Sequence, residues 1–427
     1  MYALYSLLLL LALAIVFPAY AVRLRLRRGD PLRLAERLGR RLPDRPPDRP
    51  LLWIHAVSVG EVLSLQSLTT AIKARHPEWL LAVSVLTESG HRMAREKLGA
   101  ADLVFFVPLD FRFSVRRVIR RLDPSCLALA ESEFWPRLLR EAERRRLPVL
   151  VVNGRVSTRT GARMKKLRIL IRRMLKPVTR FLVQTERDRA RLVEAGLPVG
   201  KIEVAGNLKC EVRLPLLGPE EAAAARAALG LAESDLLVVA GSIHPGEEQA
   251  LLKAFRAARR NGRPIRLVLA PRHPDKFAGL EKDRLVEGLS LRRKSCLRPN
   301  EAWDVLLLDT IGELARFYAL ADAAFIGGSL IEWGGQNLLE PAFYGKPIFF
   351  GPHMDNFAAL AEAFVLDGGA RIVRTDGDLK AMFELAGTVE AGAMGRKARA
   401  TLDSLSGATE RTLAAIEREM SHGRIRD

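Results

Sequence analysis

The sequence predicts an α/β protein built from two domains with parallel sheets. Short apolar runs alternate with helix-like segments over most of the 427 residues, and this alternation is typical of a parallel sheet covered by helices. The runs form two series, separated by a stretch that contains Pro215, Gly218 and Pro219. A single core rarely grows to this size, because domains usually hold about 100–200 residues. We therefore expect two Rossmann-like domains that face one cleft.

The first residues predict a membrane-anchor helix ahead of these domains. Tyr2 to Val22 carry no charge and are mainly Leu, Ala, Val and Ile, which is about long enough to cross a bilayer. Ala19-Tyr20-Ala21 resembles a signal-peptide cleavage site, but the basic residues follow the apolar run instead of preceding it. The positive-inside rule then keeps the rest of the chain cytoplasmic. We expect an uncleaved anchor at 1–22, crossing the membrane or lying partly in its interface, and a basic, Pro-rich linker at 23–50.

Predicted strands define the domains at 51–212 and 213–427. The first series consists of Leu51–Val57, Leu80–Leu86, Leu103–Val107, Cys126–Ala130 and Val149–Val152. The second series consists of Leu236–Ala240, Ile265–Ala270, Val305–Leu308, Ala323–Ile326 and Pro347–Phe350. Parallel strands end at a common edge, where ligands of such folds bind.

Most of the net charge of +19 lies in two segments. Arg23 to Arg49 contain ten arginines and four acids, and Arg155 to Arg180 contain ten basic residues and no acid, so the two carry +16. Such clusters indicate an anionic partner, and both nucleic acid and an anionic membrane qualify.

The second basic segment also has an apolar stripe. From Arg163 onward the apolar residues recur at helical spacing among basic ones, at Met164, Leu167, Ile171, Met174 and Val178. We interpret this segment as a helix at the headgroup surface of a membrane, with core packing of the stripe as the alternative.

Several classes of site are disfavoured by the residues present. The three cysteines, Cys126, Cys210 and Cys296, are far apart and form no CxxC pair, which favours a reducing compartment and no structural metal. The sequence has no Gly-x-Gly-x-x-Gly after a strand, no Walker A motif and no His-Glu-x-x-His. Dehydrogenases, P-loop NTPases and zinc proteases are therefore poor interpretations.

The first predicted strand ends in a polar turn that contains a candidate catalytic group. The turn reads His55-Ala56-Val57-Ser58-Val59-Gly60-Glu61, with Glu61 at the start of the next helix. A first-turn Glu also suits the helix dipole without any catalytic role. Ala-x-Ser-x-Gly resembles a nucleophile elbow with its first Gly replaced, but no Asp and His stand out as the other members of a triad.

A second pair of carboxylates follows the strand Cys126–Ala130. Glu131 and Glu133 lie two residues apart in Glu131-Ser132-Glu133-Phe134-Trp135-Pro136, so they project to the same side if the strand continues. They could serve a hydroxyl substrate or form salt bridges with the many arginines, and the sequence leaves both interpretations open.

Four turns of the second series predict a nucleotide site. Polar turns follow three of its strands, at Ser242–Glu248, Arg272–His273 and Asp309–Glu313, and a glycine loop leads from Gly334 to Glu340. Helix N-termini and a permanently charged arginine attract phosphates. Each turn alone could be an ordinary helix start, but four of them at one sheet edge favour a nucleotide.

Six motifs in order resemble the 3-deoxy-D-manno-oct-2-ulosonic acid (Kdo) transferases. They begin at His55, Glu131, Gly206, Pro271, Asp309 and Gly334, and they read HAVSVGE, ESEFWP, GNLK, PRHP, DTIGEL and GGQNLLEP. The resemblance runs from the N-terminal anchor to at least Phe357. It implies a glycosyltransferase-B (GT-B) fold, CMP-Kdo as donor, and a lipid A precursor as acceptor at the cytoplasmic face of the bacterial inner membrane. It also implies no nucleic acid partner, no cofactor and no metal.

The resemblance assigns roles to individual residues. Glu61 would be the general base of an inverting transfer. The donor would be bound by residues after the strands of the second domain, namely Ser242, Arg272, His273, Ile311, Gly312, Glu313, Asn337 and Glu340. The acceptor would be bound, or the site supported, by His55, Ser58, Gly60, Glu131, Glu133, Asn207 and Lys209. Amides of helix N-termini at Ser242 and Gly312 would stabilise the departing phosphate together with Arg272.

One motif departs from the family pattern, and two other functions remain to be compared. The family commonly has Gly-Gly-His-Asn-Pro-Leu-Glu-Pro, where this chain has Gln336 and Leu338 at the His and second Pro positions; Gln cannot carry a charge. A glycosyltransferase of the same fold that uses a UDP-sugar is one alternative. A membrane-tethered protein that binds anionic lipid or RNA without catalysis is the other.

Overall fold

The computed structural model describes residues 5–7, 9–12, 14–15, 33–46, 48–212, 214–260, 262–277, 279–282, 286–298 and 301–423. The chain divides into two compact units. Unit 1 comprises Met1–Glu211 and Ser406–Asp427, and unit 2 comprises Val212–Leu405.

Unit 1 contains a sheet of seven parallel strands in the order β3-β2-β1-β4-β5-β6-β7. Its strands are β1 Leu51–Ala56, β2 Leu80–Val85, β3 Leu103–Phe106, β4 Cys126–Ala130, β5 Val149–Gly154, β6 Arg180–Val183 and β7 Ile202–Val204. The helices up to β4 are α1 Leu34–Arg37, α2 Val59–Ser64, α3 Gln66–Arg75, α4 Glu88–Lys97 and α5 Arg112–Leu122. Those that follow are α6 Pro136–Arg144, α7 Thr158–Lys166, α8 Arg168–Leu175 and α9 Glu186–Glu194, with 3₁₀ turns at Val199–Lys201 and Leu208–Cys210.

Helices cover both faces of this sheet. Alternate residues of β1 belong to two hydrophobic clusters, Leu51 and Trp53 to one, Leu52 and Ile54 to the other. The first cluster takes in buried residues of α5, α6, α7, α8 and α9. The second takes in α2, α3, α4 and the last helix of the chain. A sheet buried on both faces explains why its strands are continuous apolar runs.

Unit 2 repeats the architecture with seven parallel strands in the order β10-β11-β9-β8-β12-β13-β14. The strands are β8 Leu236–Ile243, β9 Ile265–Pro271, β10 Leu291–Arg293, β11 Val305–Leu307, β12 Ala323–Ile326, β13 Ile348–Phe350 and β14 Ala370–Ile372. The helices are α10 Pro219–Ala228, α11 Glu247–Arg259, α12 Leu314–Leu320, α13 Leu339–Phe343, α14 Ala358–Leu366, α15 Asp376–Leu385 and α16 Val389–Leu405. The 3₁₀ turns are Pro274–Phe277, Leu280–Lys282, Lys294–Cys296 and Asp355–Phe357. Helix α17, Ala408–Gly423, belongs to unit 1.

The prediction of two parallel α/β sheets is confirmed. All ten predicted strands exist, and β4 and β12 have the predicted bounds. The strands missed were β6, β7, β10 and β14, which have three or four residues each and lie at or next to a sheet edge. The expectation that the two domains face one cleft stays a prediction.

The C-terminal segment belongs to a different unit from the one expected. The sequence placed 213–427 in one domain, whereas Ser406–Asp427 belong to unit 1. The cause is hydrophobic packing, because α17 buries four side chains in the second cluster of the unit 1 sheet, those of Ala408, Leu413, Ile416 and Met420.

The N-terminal predictions fall largely outside the described residues, which exclude 1–4, 8, 13 and 16–32. Of the helices in the described part of the chain, none combines the length and hydropathy that a bilayer crossing requires. The predicted linker at 23–50 is part of unit 1 from Arg33 onward, because Glu36 Oε1 accepts a hydrogen bond from the Phe106 N–H at 2.8 Å and Arg37 Nη2 donates to the Leu86 carbonyl at 2.6 Å.

The basic segment at 163–178 is not one helix. The helix is interrupted at Leu167, which ends α7 and precedes α8. Most of the predicted stripe faces the core: Met164 and Val178 are buried, and Ile171 and Met174 pack against the first cluster. One stripe residue, Leu167, is exposed, and so are Ile169 and Leu170 outside the stripe. The core interpretation therefore holds for four of the five stripe residues.

Candidate functional sites in the two units

The carboxyl ends of β1, β4 and β5 bring the predicted acceptor residues together in unit 1. β1 pairs with β4, and β4 pairs with β5, all in parallel. The turns that follow these neighbouring strands carry Glu61, Glu131 with Glu133, and Arg155. Three acids and one arginine therefore lie along a single sheet edge, where α/β folds bind ligands.

Glu61 is held by its own turn. Its Oε2 accepts a hydrogen bond from the Val57 N–H at 2.7 Å, and its Oε1 accepts from Ser58 Oγ at 2.9 Å. Ser58 is the N-cap of α2, so its hydroxyl also accepts from the Glu61 N–H at 3.3 Å. The side chain of Glu61 is buried, and burial raises its pKa although these hydrogen bonds oppose the shift. The carboxylate is oriented and is easier to protonate than an exposed one.

Glu133 and Glu131 complete a carboxylate cluster around Glu61. Burial raises the pKa of Glu133 to about 7, and the charges of Glu61 and Glu131 contribute in the same direction. Glu131 has the left-handed φ of 54° and pairs with Lys209, whose Nζ lies 3.4 Å from Glu131 Oε1. Like charges in one site titrate in separate steps. Near pH 7 the Glu133 carboxyl is therefore partly protonated.

The loop that carries Lys209 is positioned by amide side chains. Asn207 Oδ1 accepts from the Lys209 N–H at 3.0 Å and begins the 3₁₀ turn. Asn153, at the end of β5, is buried with a φ of 54°, and its Oδ1 accepts from the Leu208 N–H at 3.0 Å. Asn207 thus supports the loop, which explains its place in the predicted set.

His55 lies in β1, and Gly60 lies in the first turn of α2. His55 is completely buried in β1, where burial lowers its pKa to about 4, and its Nδ1 lies 2.9 Å from Ser84 Oγ. This buried imidazole joins β1 to β2 through Ser84. Gly60 is open: a Cβ at this position would meet only Ser58 Oγ, at 3.9 Å. A small side chain would therefore fit at position 60 without a clash.

Sequence reasoning missed Arg155. It follows β5 directly, its side chain is exposed, and it has no hydrogen-bond or ion-pair partner among the described residues. Its carbonyl accepts a hydrogen bond from Ser132 Oγ, which ties it to the Glu131 turn. Its position after a strand was the available signal, because the same signal identified Glu61 and Glu131.

In unit 2 a buried carboxylate ties two of the predicted donor turns together. Glu247, in the first turn of α11, is completely buried. Its Oε2 accepts from the N–H groups of His244 and Gly328 at 2.9 and 2.6 Å, and its Oε1 accepts from those of Ser329 and Leu330 at 3.0 and 2.9 Å. Four backbone donors on one carboxylate fix the turn after β8 against the glycine loop after β12.

The glycine loop needs a glycine at this contact. A Cβ at Gly327 would lie 2.4 Å from the Cα of Ile243, so no side chain fits between the end of β12 and the end of β8. This close approach explains why the strand ends at a Gly-Gly pair.

Gln336 contacts His244. The Gln336 Nε2 and His244 Nε2 atoms lie 3.0 Å apart, and the His244 ring lies 4.4 Å from that of Trp333, centroid to centroid. Burial lowers the pKa of His244, and the charges of His273, Lys276 and Arg272 add to the shift. A neutral imidazole beside a neutral amide is therefore the state of this pair at neutral pH.

Asn337 and Glu340 form a second pair at the start of α13. Asn337 Nδ2 donates to Glu340 Oε1 at 3.1 Å, and Asn337 Oδ1 accepts from the Leu339 N–H at 3.1 Å. Burial raises the pKa of Glu340. The carboxylate is thus oriented at a helix start, as the sequence predicted.

The other predicted donor residues are exposed, with one correction. Arg272, His273, Ile311 and Gly312 are exposed, and Glu313 accepts a hydrogen bond from Thr310 Oγ1. Ser242 is not at a helix N-terminus as expected; it lies within β8 with a φ of 54°. The error arises because β8 continues three residues beyond the predicted end, and α11 begins only at Glu247.

The described residues contain no group of three or more His, Cys, Asp or Glu side chains arranged to hold a metal ion. Cys126 and Cys210 are buried, Cys296 is exposed, and all three are free thiols.

Comparisons with known proteins give a family. Residues 32–212 match the family described as 3-deoxy-D-manno-octulosonic-acid transferase (kdotransferase). The chain is 33% identical over 337 residues to a 3-deoxy-D-manno-octulosonic acid transferase of Chlamydophila psittaci, covering 78% of this chain and 77% of the relative. It is 35% identical over 376 residues to that of Bordetella pertussis, covering 86% of each. The chain belongs to the Kdo transferase family. It is a glycosyltransferase that moves Kdo in lipopolysaccharide synthesis.

A solved structure supports the fold. MurG of Acinetobacter baumannii superposes with a TM-score of 0.55 at 14% identity, covering 87% of this chain and all of that one. At this identity the likeness concerns the fold alone, which is GT-B-like. The six motifs named from the sequence therefore identified the family correctly.

Proposed function

We propose that the chain transfers Kdo from CMP-Kdo to a hydroxyl of a lipid A precursor, with inversion at the anomeric carbon and with Glu61 as the general base. The observation that carries this proposal is the state of Glu61: its two carboxylate oxygens are oriented by Val57 and Ser58, and burial raises its pKa. A base works best when its pKa approaches the working pH.

The proposed step moves one proton and one glycosyl group. The acceptor hydroxyl gives its proton to Glu61 while its oxygen attacks the anomeric carbon of Kdo from the face opposite the phosphate. The bond between that carbon and the phosphate oxygen breaks, and CMP leaves as a phosphate monoester. The leaving group needs charge stabilisation rather than a proton, so a cation suffices.

Unit 2 offers the groups that CMP requires. Arg272 is exposed and has no ion-pair partner among the residues described, so its guanidinium is available to a phosphate. Glu340 can accept hydrogen bonds from ribose hydroxyls. Glu247 acts through the backbone, because it holds the turns on which the donor would rest. No metal or other cofactor takes part in the proposed step.

Unit 1 offers a surface for the acceptor and its membrane. Helices α7 and α8 hold seven basic residues and no acid, and Leu167, Ile169 and Leu170 are exposed among them. Apolar side chains within a cationic helix face favour the surface of an anionic membrane. We place the enzyme on the cytoplasmic side of the bacterial inner membrane, where a phosphorylated lipid acceptor would be presented.

The test is release of CMP in the presence of both substrates. Purified protein is given a lipid A precursor with CMP-Kdo or, separately, with UDP-sugars, and product mass is measured. We expect product only with CMP-Kdo, and Glu61→Gln should lower turnover about 10²- to 10⁴-fold. Glu88→Gln is the matched control, because Glu88 also starts a helix after a strand of the same sheet but is exposed.

Two results would contradict the proposal. Near-normal turnover of Glu61→Gln would exclude Glu61 as the base. Product from a UDP-sugar, or tight binding of vesicles or RNA without any CMP release, would replace the proposed activity with one of its alternatives.

A further inference from the structure

A cavity of about 550 Å³ lies beside the C-terminal end of α8 in unit 1. The residues that line it include Ile169, Arg172, Arg173, Lys176, Phe181 and Leu197. None of the candidate site residues described above lines it.

The cavity has an apolar interior and one exposed apolar side chain at its opening. Leu175, Phe181 and Leu197 are 1%, 1% and 5% exposed, so its wall is made of core side chains. Ile169 is 88% exposed and stands at the opening. An interior of this kind favours a hydrocarbon chain and offers little to a nucleic acid.

Cations surround the opening without partners. Arg172, Arg173 and Lys176 have no hydrogen-bond or ion-pair partner for their side chains among the described residues. Lys201 is different: its Nζ donates to the carbonyls of Lys176 and Val178 at 3.1 and 2.6 Å. Three unpaired positive charges at the mouth of an apolar cavity complement an anionic head on a hydrocarbon chain.

The cavity lies at the amino ends of the strands, whereas the carboxylate cluster lies at their carboxyl ends. Leu175 and Lys176 precede β6, Phe181 is its second residue, and Pro198 to Lys201 precede β7. Glu61 and Glu131 follow the other ends of β1 and β4. Strands of three to six residues separate these two ends of the sheet by about 10–20 Å, at roughly 3.3 Å per residue. The cavity is therefore separate from the place where the acceptor hydroxyl reacts.

We propose that this cavity binds one anionic phospholipid of the bilayer, with an acyl chain between Ile169, Phe181 and Leu197 and its phosphate on Arg172, Arg173 and Lys176. The proposal rests on the membrane-facing role proposed for α7 and α8. It adds to that role a single saturable site, where a flat basic surface would bind many lipids without a fixed number.

The test uses short-chain lipids below their micelle concentration, with binding followed by native mass spectrometry and calorimetry. Dihexanoyl phosphatidylglycerol should bind the full chain one to one and more tightly than dihexanoyl phosphatidylcholine. The double variant Arg172→Gln/Arg173→Gln should weaken phosphatidylglycerol about 10- to 30-fold and remove the preference, since each surface cation contributes about fivefold. Ile169→Asn should weaken both lipids.

A matched control distinguishes binding in the cavity from a general effect of positive surface charge. Arg116 and Arg120 on α5 are exposed and have no partner in the described part of the chain, and α5 covers the same face of the sheet as α8. Arg116→Gln/Arg120→Gln removes the same charge and should leave binding within twofold of the wild type. An equal loss in both double variants would overturn the proposal.

Other outcomes are equally decisive. Binding without saturation, or equal binding of both lipids by the wild type, would overturn it. So would a dimer in analytical ultracentrifugation that Ile169→Asn dissociates, because a second copy would then cover the cavity. Displacement of phosphatidylglycerol by a lipid A precursor would make the cavity an acceptor subsite and would also overturn it. If the wild type bound one lipid but transferred no Kdo, the proposed function would be contradicted and the lipid site would stand.

Discussion

Ser58 and Glu61 hold each other through two reciprocal hydrogen bonds. Ser58 Oγ donates to Glu61 Oε1 at 2.9 Å and accepts from the Glu61 N–H at 3.3 Å. The pair does two things at once, since it caps α2 and orients the carboxylate proposed as the base. The effect of Ser58 on helix stability and its effect on Glu61 can therefore be distinguished only by an experiment that measures both stability and the pH dependence of activity.

Ser58→Ala should lower stability and shift the activity profile. Loss of a helix N-cap costs about 1 kcal/mol, measurable by denaturant unfolding. The hydrogen bond from Ser58 lowers the pKa of Glu61, so its loss should raise that pKa further, and the acid limb of the pH–kcat curve should move to higher pH. Thr87→Ala is the control, because Thr87 caps α4 in the same way with its hydroxyl accepting from the Gly90 N–H at 3.0 Å. An unmoved acid limb in Ser58→Ala would separate Ser58 from the chemistry.

Glu133→Gln should make stability less dependent on pH. Burial raises the folded-state pKa of Glu133 to about 7, above its usual value near 4.5, so between these values the folded state binds more protons than the unfolded state. Stability from this group is then present at pH 4.5 and is lost as pH rises to about 7. The variant should match the wild type at pH 5 and have the higher Tm at pH 8. A lower Tm at pH 8 would mean that the ionised carboxylate is stabilised in place.

Glu247→Gln should disturb the donor turns. An amide accepts on one oxygen only, so two of the four backbone N–H groups now bound by Glu247 would face an NH₂ group. Leaving two buried donors without an acceptor costs about 2–6 kcal/mol. Glu248→Gln is the neighbouring control, since Glu248 accepts a single backbone hydrogen bond from the described residues, from the Gly246 N–H at 2.7 Å. We expect a lower Tm and weaker CMP binding by calorimetry for Glu247→Gln only. If Glu247→Gln folds and binds CMP with unchanged affinity, donor binding does not depend on the four hydrogen bonds that Glu247 accepts from the two turns.

Much of the fold was predictable because it depends on local pattern. Buried parallel strands are continuous apolar runs, so β1, β4 and β12 could be read directly from the sequence. The position of α17 could not, since contacts distant in sequence, among them its packing against β4 and α3, assign it to unit 1. Glu61 was found because it follows a strand. Glu247 was missed because its role lies in four backbone contacts with two separate segments, which no local pattern reveals.

Gln336→His should give donor binding a dependence on pH beyond that of the wild type. Gln336 lies 3.0 Å from His244, whose pKa burial lowers, and an amide does not titrate, so any pH dependence of wild-type CMP affinity comes from CMP's own phosphate and from groups other than position 336. Two imidazoles in this place can share one proton, and a proton gained near pH 6 would add a positive charge beside an anionic ligand. CMP affinity of the variant, measured by calorimetry, should therefore rise relative to that of the wild type as pH falls from 8 to 6. Gln336→Asn, which contains no titratable group, controls for the change in shape. Equal slopes for Gln336→His and Gln336→Asn would show that position 336 does not sense the charge of the donor.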